Sequence, residues 1–171
     1  MTETTLTPSR LWKRMSSDQR QRAALAFWAD PEATDDQVQA AFLIAQQKKF
    51  RPKTVIGLDL DRKAKHLATV AGVTDQIAAR ALVIYHLAEQ RPMMGAFLDA
   101  LGIAHENGLI QEEEVKPDAE KIPPAAAQIA KQFPADDVRI YLNTLLCQDP
   151  GTWGALKDVP QTQETESPAV R

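Results

Sequence analysis

The sequence predicts an all-α fold, a compact orthogonal bundle of about eight helices with no significant sheet. Three observations carry that expectation. Apolar residues recur at i, i+3, i+4 and i+7, as in Val38, Ala41, Phe42 and Ala45, or Val138, Tyr141, Leu142 and Leu145. Prolines and capping residues stand at the heads of these stretches, where a helix tolerates them. No stretch alternates apolar and polar residues between turn signals as a half-buried strand would.

Pro8 opens a first helix over 8–14. Ser16 with Gln19 forms the capping-box pair ahead of 18–29, and Thr34 with Gln37 repeats it ahead of 35–50. Pro52 stands at a further start, and Asp59 or Asp61 caps 60–70. Thr74 heads 75–90, whose segment 77–88 is apolar nearly all round and belongs in the middle of the bundle. The chain continues through 92–102, where Gly95 marks close approach of another helix. Two last helices cover 124–133 and 135–148. Trp12, Trp28 and Trp153 read as core anchors, with Trp153 docking the last ordered turn. Asn107-Gly108 is a hairpin-like dipeptide without evident strands beside it.

With 171 residues, 44% hydrophobic and 25% charged, the chain has the composition of a soluble globule. At roughly 150 residues per domain it reads as one domain over 1–158. Within it, 103–123 forms an extended acidic and proline-rich linker to a C-terminal helix pair. The polar residues 159–171 read as a disordered tail. One cysteine, Cys147, admits no intramolecular disulfide and reads as a buried, inert thiol. The N-terminus has neither a basic nor an apolar signal region, and the longest apolar run is far short of a membrane span. A cytoplasmic protein without a membrane partner is the expectation.

The net charge of −3 averages two unlike halves. Residues 1–98 hold 14 basic and 10 acidic groups, and 99–171 hold 6 and 13. The basic excess concentrates in 48–66, where seven Lys and Arg face only Asp59 and Asp61. That stretch runs into Leu67, Val70, Gly72, Val73 and Ala78. These residues resemble a helix-hairpin-helix motif: two apolar positions, a glycine hairpin, and a small residue where two helices touch. The resemblance covers about 16 residues and implies backbone amides at the hairpin directed at a nucleic-acid phosphate. The motif's second glycine is Thr74 here, whose hydroxyl would cap the helix amides itself. A plain helix corner, with Gly72 as left-handed cap and Thr74 as N-cap, accounts for the same residues.

No phosphate loop, dinucleotide fingerprint or zinc spacing is present, so no cofactor or metal is expected. Asp99, His105 and Glu106 are the conceivable acid-base group, which makes an enzyme the third reading. The leading expectation is a non-enzymatic binding or adaptor protein with a protein partner. The alternative is weak, sequence-independent nucleic-acid binding through Arg62, Lys63, Lys65, Gly72, Val73 and Arg80. The basic stretch could also pack on the acidic residues Glu112–Glu114 of the same chain.

Overall fold

The computed structural model describes residues 6–163 and is all-α. Its helices are α1 (Pro8–Arg14), α2 (Ser17–Ala29), α3 (Thr34–Lys48), α4 (Pro52–Ile56), α5 (Leu60–Thr69), α6 (Asp75–Glu89), α7 (Arg91–Leu101), α8 (Ile122–Gln132) and α9 (Ala135–Gln148). A two-stranded antiparallel pair, β1 (His105–Glu106) and β2 (Leu109–Ile110), lies between α7 and α8. Two short 3-10 turns, Gly154–Asp158 and Pro160–Thr162, follow α9. The start expected at Pro52 is that of α4, to which the sequence expectation gave no bounds because five residues are too few to show a period. The chain from 1 to 158 reads as one domain in sequence; its contacts gather into two compact units that divide after Gln90.

In the first unit, α2 packs against both α5 and α6. Small side chains make this possible: Ala23 and Ala24 on α2, Ala64 on α5 and Ala78 and Ala81 on α6 are all buried. Phe27, Leu67, Ile77 and Leu82 fill the space between the backbones. The apolar α6 also packs on α1 and α3. The Ser16–Gln19 capping box forms in full, and Asp59 and Thr74 cap α5 and α6.

The second expected capping box does not form. Thr34 lies inside α3, its hydroxyl donating to the Pro31 carbonyl. The Gln37 amide turns back to the end of α2, donating to the carbonyls of Phe27 at 2.9 Å, Asp30 at 2.7 Å and Trp28 at 3.4 Å. Terminal helix carbonyls need an outside donor, and the reach of the Gln side chain supplies it. Gln37→Leu is therefore expected to cost about 1–2 kcal/mol of stability, read by urea denaturation. An unchanged midpoint would show that water replaces the amide without loss.

The second unit is built on Met93, Phe97, Leu98, Ile129, Val138, Leu142 and Trp153, all buried. The Phe97 ring meets Tyr141 edge-on at 5.8 Å and Trp153 at 6.0 Å. Asn107 and Gly108 do make a hairpin. Both have positive φ, 51° and 87°, which brings His105 opposite Ile110. Strands of two residues are too short to display alternation. Gly95 packs against this hairpin rather than a helix: a Cβ there would stand 3.2 Å from the His105 ring. From Gln111 to Lys121 the chain has neither helix nor strand.

Disorder from residue 159 is not observed over the described part of the tail. Val159 and Thr162 are buried, and Asn143 donates its side-chain amide to the Thr162 carbonyl at 3.1 Å. The composition is polar, but one valine and one threonine suffice to seat the turn on α9. Residues 164–171 of that expectation lie outside the described residues. Among the described residues no helix is long and apolar enough to cross a membrane.

Candidate functional site

The structure separates the six residues assigned to nucleic-acid contact into two groups. Arg62, Lys63 and Arg80 are engaged within the first unit. Arg62 pairs with Asp59 at 3.5 Å on the surface. The Lys63 ammonium sits 5.2 Å from the Trp28 ring centroid and 3.5 Å from the Ile56 carbonyl oxygen. Arg80 faces Asp36 at 3.8 Å. Lys65, Gly72 and Val73 line one cleft of about 730 Å³.

That cleft is bounded by α1, α2, α5 and the turn after α5. The sharp connection between α1 and α2 brings Lys13 and Arg20 to the cleft that Lys65 also lines. Asp61 is the carboxylate among the lining residues. Buried Trp12 and Val73 supply apolar wall. Lys13 and Arg20 escape a sequence reading because they stand some 50 residues before Lys65, and nothing local links them.

Gly72 adopts φ +77°, a conformation that L side chains rarely take. Two residues on, the Thr74 hydroxyl accepts the Ile77 amide at 3.2 Å, so the cap fills its own helix end. Asp75 occupies the same first turn and accepts the Ser9 amide at 3.0 Å. The Ser9 side chain, then its backbone, holds the Asp75 carboxyl below its usual range. The start of α6 is thus supplied with its own oxygens. Any attraction of the cleft for anions comes chiefly from Lys13, Arg20 and Lys65.

A second surface lies at 48–60. Phe50, Ile56 and Leu60 are 42%, 47% and 38% exposed. Lys48 and Lys49 before Phe50, and Arg51 and Lys53 after it, are exposed. Val55 is buried and anchors α4, which packs on α3. The Phe50 ring meets His66 edge-on at 5.9 Å. Burial, then the charges of Lys48 and Lys65, lowers the His66 pKa.

The third grouping does come together, but its ring nitrogens are occupied. His105 Nδ1 accepts the Gly108 amide at 3.0 Å. Nε2 therefore carries the proton and donates it to Asp99 at 2.7 Å. Neither nitrogen is left to take a proton from a substrate, and the pair serves to hold the hairpin. Glu106 is exposed and has no part in it. Buried His86 donates Nδ1–H to the Leu82 carbonyl at 2.7 Å. Cys147 is only partly buried, where full burial was expected; it stands near the end of α9, where the helix leaves the core. No cluster of His, Cys, Asp and Glu suited to a metal ion occurs among the described residues. No protein-family model, curated protein or solved structure matches this chain.

Proposed function

We propose that this protein is a non-enzymatic, cytoplasmic binding protein that docks an acidic, amphipathic segment of a protein partner. The observation that carries this reading is the stretch 48–60, where exposed Phe50, Ile56 and Leu60 occur with four exposed basic residues. Three large apolar groups concentrated in one short stretch suit a partner's apolar face. The charges of Lys48, Lys49, Arg51 and Lys53 select acidic residues around the partner's apolar face and speed encounter.

The test is parallel capture from the cell's own proteome on immobilised wild type, Phe50→Glu and Ile56→Glu. Both side chains are half-exposed, so the variants should keep their fold, as circular dichroism will show. A partner held by wild type, lost from both variants and weakened by salt supports the reading. Equal retention by all three proteins overturns it. Nucleic-acid binding is the second reading, favoured by Lys65, Gly72 and Val73 sharing one cleft. It predicts steeply salt-dependent retention on duplex DNA.

A further inference from the structure

We infer that the cleft between α1, α2, α5 and the turn at 70–73 binds a small phosphomonoester. The phosphate is held by Lys13, Arg20 and Lys65, and the apolar body rests on Trp12 and Val73. This inference is independent of the partner face at 48–60.

Three observations lead there. The cleft's volume of about 730 Å³ falls within the usual range of small-molecule sites. Its three cations against Asp61 leave an excess of two positive charges, which matches a phosphate near its second ionisation. Among the described residues, none of the three cations has a carboxylate within ion-pair distance.

The shape argues for a small molecule over a duplex. A nucleic-acid backbone is met by a row of exposed cations. Here Arg62, Lys63 and Arg80 are engaged elsewhere, and Arg20 is recessed. The walls offered by Trp12 and Val73 favour an organic ester over inorganic phosphate alone.

The test is titration of the full chain with phenyl phosphate, inorganic phosphate and a short DNA duplex, followed by amide chemical shifts. Phenyl phosphate is expected to shift the amides of Lys13, Arg20, Lys65, Gly72 and Val73, and to bind more tightly than inorganic phosphate. Lys65→Met, an exposed change, and Arg20→Met should each weaken it about tenfold or more, the scale of one charge-assisted contact. Absence of shifts with phenyl phosphate overturns the assignment. So does equal binding by wild type and Lys65→Met, or equal affinity for inorganic phosphate. Binding of the duplex alone overturns it in favour of a backbone contact.

Discussion

Gly108→Ala is expected to destabilise the second unit by about 3 kcal/mol, combining left-handed strain with overpacking. Gly108 holds φ +87°, and an added Cβ would stand 2.9 Å from Met94 Cβ and 3.1 Å from the Arg91 carbonyl oxygen. Neither neighbour can retreat easily: one is a side-chain root on α7, the other is backbone. The glycine also donates its amide to His105 Nδ1, so displacement would pull on the Asp99 pair. Gly102 provides the control. It has φ +71°, but an added Cβ would meet nothing within 4 Å, so Gly102→Ala should lose about 1–2 kcal/mol from conformation alone. Urea denaturation, with amide exchange read on α7 and α9, measures both. Equal losses for the two variants would show that the hairpin is not clamped against α7.

Acidification from pH 6.5 to 4 is expected to remove about 3 kcal/mol of stability through one residue, His86. Burial pushes its pKa down to about 4, against a small opposing effect of the hydrogen bond to Leu82. The unfolded chain, with an ordinary imidazole, takes up the proton first as the pH falls. The full stability is present above the unfolded pKa of about 6.5, and this contribution is gone below about 4. His86→Gln removes the titration while keeping a side-chain donor for the turn above it. Its baseline stability will be lower, but its slope between pH 6.5 and 4 should be flatter than that of wild type. Parallel slopes would assign the acid sensitivity to other groups.

The local code of this fold is legible in its capping chemistry. Ser16, Asp59 and Thr74 each announce a helix, because a side-chain oxygen positioned before the first turn satisfies an otherwise orphaned amide. Thr34 and Gln37 carry the same pattern, yet the structure uses Gln37 differently. The end of α2 lies within its reach and presents carbonyls that accept its amide. A cap depends on the two residues that form it only when no neighbouring helix competes for them. The tail shows the converse: residues 159–163 look unstructured by composition, and are seated by two buried side chains.

The candidate sites divide along the same line. Lys65, Gly72 and Val73 were legible as a basic helix end running into a glycine turn, because all three lie within one short stretch. Lys13 and Arg20 were not, and Lys63, equally basic in sequence, is drawn onto Trp28 by the packing of α5 on α2. The Asp99–His105 pair was visible as residue types. Only the hairpin shows that both imidazole nitrogens are already committed.

By itself, then, the sequence determined an all-α chain and the position of most of its helices, because period and capping act over a single turn of backbone. It determined too that the basic charge lies in the first half. Which cations stay available, which carbonyls take which donors, and where a cleft opens were decided by the tertiary structure. These depend on distances between segments tens of residues apart, set by how closely alanine-lined helices approach one another and not by any neighbouring residue in the chain.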